Sequence, residues 1–371
     1  PYTTLFRSVC TEAYQRRLRA QARHTDTNLG TPQVQAALQA VLAIPDEDEE
    51  AVTDAAILLV TASPVWAIET ALQFDPQSAD AKKGLASAQR IGDYYAQIAA
   101  APEVTRVYLG EVVCGKRSPL TVEALLGAEE TLTKAGKAVV WASQALPATP
   151  REARSMRELA EASALLEVND VAALASLPKG AAFVAGPLLN LYNESAVAAL
   201  AARGCQRICA NVELSLDAVA AIAKACPQVE IELFAYGRLP LALSGRCYHA
   251  RAHKAHKDGC LFVCETDPDG MVVRTVEGEP FLAVNGVQTL SHGVHLADAE
   301  VDRLLAAGVT ALRISPHTGD VQAVLTAFGA FVRGELDGVA LRAAVAATSP
   351  PGPLINGYLH GRAGMLALAG R

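Results

Sequence analysis

The segment CYHARAHKAHKDGCLFVC, residues 247 to 264, carries three thiols and three imidazoles. Its cysteines, Cys247, Cys260 and Cys264, are spaced C-x12-C-x3-C. A structural zinc site usually shows two close cysteine pairs, or one close cysteine pair and one close histidine pair. One close pair with an outlier needs a fourth ligand from elsewhere. Irregular sets of that kind suit an iron–sulfur cluster, which takes four thiolates. Spacing alone leaves a cluster, zinc and no metal all open. His249 and His253 would share one helix face and, with His256, offer a zinc alternative. The plainer reading is a solvated basic loop that also holds Arg251, Lys254 and Lys257. Such cations beside a cluster would raise its reduction potential.

The chain has eight cysteines and no apparent export signal, so a cytoplasmic location with reduced thiols is the expectation. Cys114, in YLGEVVCGKR, falls just past a strand-like run, which in a barrel is the functional rim. Cys226 ends an Ala-rich helical run and reads as a small buried hydrophobe. Cys205 and Cys209 stand four apart in a strand, roughly 13 Å from each other, too far to share one small site. Both read as structural.

The elements that would position these groups begin near residue 104. RVYLGEV, AVVWAS, LLEV, AFVAG, RICAN, VEIELFAYG, FLAVNG and ALRIS read as strands. Helical patterns such as TVEALLGAEETLTKAG, SAVAALAARG and LDAVAAIAKAC lie between them. Repeated strand–helix units imply a parallel sheet, here a (β/α) TIM-barrel-like α/β fold, complete or partial. The rhythm breaks between Val229 and Phe281, where the cysteine segment is followed by DPDG, a turn expected to close a hairpin.

Residues 9 to 85 are Ala-rich, with the acidic run DEDEE, and read as a helical extension. AIETALQFDPQSADAKKGLASA faintly echoes a tetratricopeptide unit, but a single unit cannot bury its own face. The opening PYTTLFRS matches the translation of a common sequencing-adapter oligonucleotide, so residues 1 to 8 are expected to be foreign to the fold. Half of the residues are hydrophobic (51%), enough for a sizeable core, and the net charge is −7. That charge argues against a surface built for broad nucleic-acid binding. No apolar run is long enough for a transmembrane segment.

From about residue 88 to 369 the chain resembles the collagenase-like peptidase family U-32, in the branch that UbiV typifies. The motifs YLGEVVCGKR, AAFVAGPLLNLYN, YGRLPLALSGRC, KDGC-x3-C, NGVQT, RISP and NGY recur in order. The resemblance implies a 4Fe–4S cluster on Cys114, Cys247, Cys260 and Cys264. It also implies oxygen-independent hydroxylation of a ubiquinone precursor, in a heterodimer with a UbiU-like paralogue that carries its own cluster. Residues 86–371 would then form the iron–sulfur barrel domain. Related branches hydroxylate RNA, and others are named as peptidases.

Polar groups after two of the strands, Asn190, Tyr192 and Asn193 and then Asn285 and Gln288, are candidate substrate contacts at the carboxyl rim. They are equally suited to capping helices and turns. The peptidase-type signature runs E-x-F-x2-G, then a small residue, an aliphatic one and Cys. Glu232, Phe234 and Gly237 match it, but Pro240 stands in place of the cysteine. A peptidase would need a nucleophile–base pair or a zinc motif, and neither HExxH nor GxSxG occurs. Glu232 is its only family-matched polar candidate, and a lone strand Glu is more often structural. A non-catalytic electron-transfer or scaffold partner of UbiU is a further alternative.

Overall fold

The computed structural model describes residues 79–368 apart from 258 and 261. The expectations for residues 1–8, and for all but the last few residues of the Ala-rich extension, lie outside the described residues. Two compact units share the described part: 79–96 with 116–131, and 97–115 with 132–368.

Helix α1 (Ala79–Ala100) begins in the first unit. Tyr94 and Tyr95 meet there edge to face, 5.1 Å between ring centroids.

The second unit is built on β1 (Arg106–Leu109), β2 (Ala138–Ala142), β3 (Leu166–Val168), β4 (Phe183–Ala185), β5 (Cys205–Cys209) and β6 (Glu230–Leu243). These pair in sequence order and in parallel. Along the chain, helices follow most of these strands: α2 (Ser118–Lys134), most of it in the first unit, comes after β1, and α3 (Pro150–Ala162), α4 (Val171–Ser176), α5 (Glu194–Ala201) and α6 (Leu216–Ala225) follow later strands. Their starts are set by side-chain caps. Thr149 and Glu152 form a capping box with Pro150 in the first turn, while Asp170, Asn193 and Ser215 each accept a backbone N–H. Each cap stabilises its helix by about 1 kcal/mol.

After β6 the alternation stops. A short helix α7 (Tyr248–Ala252) and a 3-10 turn (Val263–Thr266) lead into β7 (Met271–Arg274), β8 (Pro280–Asn285) and β9 (Gln288–Leu296). These three strands are antiparallel, and β9 pairs with the second half of β6. FLAVNG is therefore a strand, as expected, but not a parallel one. DPDG does not close the hairpin either. It turns the chain into β7, and the β7–β8 turn lies at Thr275–Glu279, where Thr275 donates its N–H to the Glu279 carbonyl. The β8–β9 turn has only Gly286 and Val287 between Asn285 and Gln288, with Gly286 at φ +63°.

Helix α8 (Val301–Ala306) returns the chain to β10 (Val309–Ile314), which lies parallel to the first half of β6. Helices α9 (Val321–Val332) and α10 (Gly338–Ala347) and the short strand β11 (Leu354–Ile355) complete the unit. Tyr236 pairs with both Ile314 of β10 and Leu296 of β9, so β6 changes partner there. The next residue is Gly237, at φ +132°, and a Cβ at this position would lie 2.6 Å from the Ser315 carbonyl oxygen. The signature glycine is thus a site where only glycine fits.

The core includes Leu166, Phe183, Ile208, Ile231, Leu296, Phe331 and Leu341, all nearly or fully buried. Each such side chain contributes roughly 1.5–3 kcal/mol by leaving water. The sheet is curled. β1 and β6 stand five strands apart, roughly 24 Å if flat at ~4.8 Å per strand. Yet the Tyr108 hydroxyl on β1 reaches Glu232 Oε2 on β6 at 2.7 Å. Among the described residues no helix is long and apolar enough to cross a membrane.

Candidate functional site

Charged side chains from four strands converge on the concave face of the sheet. Arg313 of β10 forms ion pairs with Glu167 of β3 and Glu232 of β6. Its guanidinium carbon lies 3.8 Å over the Tyr108 ring, a cation–π contact. Arg207 of β5 approaches Glu232 at 3.6 Å and binds Glu230 through Nε at 2.7 Å. Asn169 donates to Glu167 at 2.9 Å and takes its own backbone position from Ser143. Glu167 and Glu232 are almost fully buried. Burial alone would push the Arg313 guanidinium down, but the carboxylates of Glu167 and Glu232 hold it well above its ordinary value. Burial, with Glu232 beside it, likewise keeps the Tyr108 phenol protonated, so it donates.

Tyr108 and Arg313 lie toward the carboxyl ends of their strands, Glu167 and Arg207 are mid-strand, and Glu232 lies near the start of β6. Glu232 is therefore not a lone strand carboxylate: both of its oxygens are engaged. Sequence reading missed Tyr108, Glu167, Arg207 and Arg313. The available signal was a charge inside each of the apolar strands LLEV, CQRIC and ALRIS, and two in VEIELF. Cys209 faces the same network, and burial pushes its thiol well up. Burial pushes the Cys205 thiol up to about 11, and that thiol donates to the Arg207 carbonyl. Cys226 is buried at the end of α6. Cys205 and Cys209 thus behave as protonated, inert thiols.

The cysteines of the implied cluster lie elsewhere. Cys114 sits on the loop after β1, and the Glu111 carboxylate accepts the backbone N–H groups of Val113 and Cys114 at 3.0 and 2.9 Å. Cys247 precedes α7, and its sulfur accepts the Ala250 N–H at 3.3 Å. Cys260 is buried in the following turn, and Cys264 lies half-buried in the 3-10 turn. None of the four is in a disulfide. As a donor set, four cysteines outside disulfides, one with a backbone donor at its sulfur, fit a group held by thiolates.

The histidines do not behave as one solvated loop. His253 and His256 are exposed, as are Arg251 and Lys254. His249 is fully buried, and its Nδ1 lies 3.2 Å from the Val284 carbonyl of β8. Helix α7 sets it there by packing on the β8–β9 hairpin.

Of the rim candidates, Asn193 caps α5 by accepting the Ala196 N–H at 2.9 Å. Tyr192 is exposed and donates to Glu213 at 2.5 Å, and Asn190, at φ +57°, meets Asn211. These three follow β4 at its carboxyl end. Asn285 and Gln288 flank the antiparallel turn instead, so they are not on the rim of a parallel strand. Asn285 holds the carbonyls of Asp267 and Pro268. Pro240, which replaces the signature cysteine, lies in β6 between two register shifts, a place where a strand tolerates the missing N–H.

Residues 94–346 match peptidase family U32. A curated relative, "tRNA hydroxylation protein P" of Helicobacter pylori (strain J99 / ATCC 700824), is 31% identical over 127 residues, which is 31% of this chain and 29% of that protein. The chain thus spans under a third of that relative's length. No solved structure matches the chain at a significant level. With the family match running from the end of α1 into α10, across every strand of the curled sheet save the short β11, the chain belongs to peptidase family U32.

Proposed function

We propose that this chain is the iron–sulfur subunit of an oxygen-independent hydroxylase, and that it acts with a UbiU-like paralogue on a ubiquinone precursor. The observation that carries the reading is the donor set. Four cysteines outside disulfides, three of them on one segment beside α7, stand in a U32 chain with a curated relative named for hydroxylation. A 4Fe–4S cluster on Cys114, Cys247, Cys260 and Cys264 would supply a path for electrons, which hydroxylation without O₂ requires. Glu111 would fix the backbone that presents Cys114, and the Ala250 N–H would orient the sulfur of Cys247.

The mouth of the curled sheet would receive the precursor ring. Tyr108, Glu167, Glu232 and Arg313 form a polar floor that is already internally paired, which holds it rigid. Asn190 and Tyr192, exposed after β4, are the rim groups available to a ligand. The peptidase reading is weaker. Glu232, its one family-matched candidate for a base, is bound to Arg313 and Tyr108, and Pro240 stands at the signature cysteine. A scaffold or electron-transfer role beside a catalytic paralogue uses the same cluster and differs only in which subunit holds the substrate.

The curated relative's name favours a second reading, hydroxylation of tRNA. Deleting the gene and growing the strain without O₂ separates the two. Loss of ubiquinone with build-up of its unhydroxylated precursors, reversed by the wild-type chain but not by Cys247→Ala, supports the first. Normal ubiquinone with loss of a tRNA hydroxylation supports the second, and normal levels of both overturn the hydroxylase reading.

A further inference from the structure

We propose that His249, His253 and Asp267 form a mononuclear site for a divalent transition-metal ion, separate from the four cysteines. The two histidines are spaced H-x3-H, in the first turn and at the C-cap of α7. Their rings stack at 5.4 Å with 9° between planes. One donor atom from each of the three residues lies within 4.8 Å of the others. In a tetrahedral zinc site with bonds of ~2.0–2.1 Å, neighbouring ligand atoms are roughly 3.3 Å apart, so metal binding would draw the set closer.

His249 supplies the independent observation. Its side chain is fully buried, at 0% exposure. A carbonyl only accepts, so Nδ1, 3.2 Å from the Val284 oxygen, carries the ring hydrogen. The other ring nitrogen, Nε2, is buried and makes no hydrogen bond, and it faces Asp267 Oδ2 at 3.0 Å. A metal ion between them would give both atoms a partner.

The surroundings fix the ligands as metal sites usually do. Val284 orients His249 from β8. Asp267 is held by its own N–H on the Cys264 carbonyl, by Asn285 on its carbonyl and by Thr266 Oγ1, which donates to Oδ2 at 3.1 Å. Two imidazoles and one carboxylate suit zinc or iron(II) and leave at least one position open. His256 is not in the group.

The test equilibrates the anaerobically purified full-length chain with Zn²⁺, removes loosely bound ion, and counts zinc and iron per chain. Wild type is expected to keep one zinc beyond its iron. His253→Gln and Asp267→Asn each lose that zinc and keep the iron, while His256→Gln keeps both. Cys264→Ala keeps the zinc and loses the iron. Zinc retained equally by wild type, His253→Gln and Asp267→Asn, or no retained zinc in any of them, overturns the site. Zinc lost in Cys264→Ala but kept in Asp267→Asn assigns the ion to the cysteines and also overturns it. Zinc without any iron leaves this site standing while removing the cluster reading.

Discussion

The hydroxyl of Tyr108 on the first strand donates to Glu232 on the sixth at 2.7 Å, and Arg313 on β10 is clamped between Glu232 and Glu167. Breaking a buried pair by removing one partner leaves an uncompensated charge, at a cost of about 3–5 kcal/mol. Glu232→Ala is therefore expected to lower unfolding stability by that order. Tyr108→Phe, which removes one hydrogen bond to a charged group, should cost about 1.5–3 kcal/mol. Anaerobic urea unfolding measures both. Equal stability of wild type and Glu232→Ala would show that the network does not brace the sheet.

Gly237 sits where β6 leaves β10 for β9, at φ +132° and against the Ser315 carbonyl. Gly237→Ala must shift backbone, not a flexible side chain. The expected loss is at least ~2 kcal/mol, read as a lower melting temperature or as loss of soluble protein. A melting temperature unchanged from wild type contradicts this account of the signature glycine.

These two sites show how far the sequence could be read. The parallel strand runs were legible because strands covered on both faces demand continuous apolar segments, and Glu167, Arg207, Glu232 and Arg313 inside them marked inward positions. The partners of those charges were not legible, because Glu167 and Arg313 are 146 positions apart and meet only when the sheet curls. The antiparallel excursion was half legible. The Asn285–Gly286 turn has the residues of a tight hairpin, but QTLSHGVHL lacks clean alternation, and DPDG carries the same turn chemistry without pairing the strands it separates. His249 looked like one more polar group in a basic loop, because nothing in the local sequence reports that β8 covers it.

Burial pushes the His295 imidazole down, from 6.5 to about 4. The unfolded chain therefore takes up a proton below about pH 6.5 that the native chain refuses until about pH 4. Stability is full above the upper value and falls as pH drops through this window, by roughly 3 kcal/mol in total. His292 and His317 shift in the same direction, each chiefly through burial. His295→Gln should flatten the pH dependence of unfolding between those limits by about one proton. An unchanged slope contradicts the assignment.

Glu111 accepts two successive backbone N–H groups, those of Val113 and Cys114. Glu111→Ala frees the loop without touching a proposed ligand. Slower recovery or faster loss of bound iron than in wild type is the expected result, followed by absorbance during exposure to air. Identical decay curves would mean that the loop needs no such tether.

The central claim is the cluster, and direct analysis of iron and acid-labile sulfide in the anaerobically purified chain tests it most closely. The account predicts about four of each per chain, with loss in Cys114→Ala, Cys247→Ala, Cys260→Ala and Cys264→Ala but not in Cys205→Ala or Cys226→Ala. A chain that binds no iron and sulfide, or that keeps them when any of the four cysteines is replaced, contradicts it.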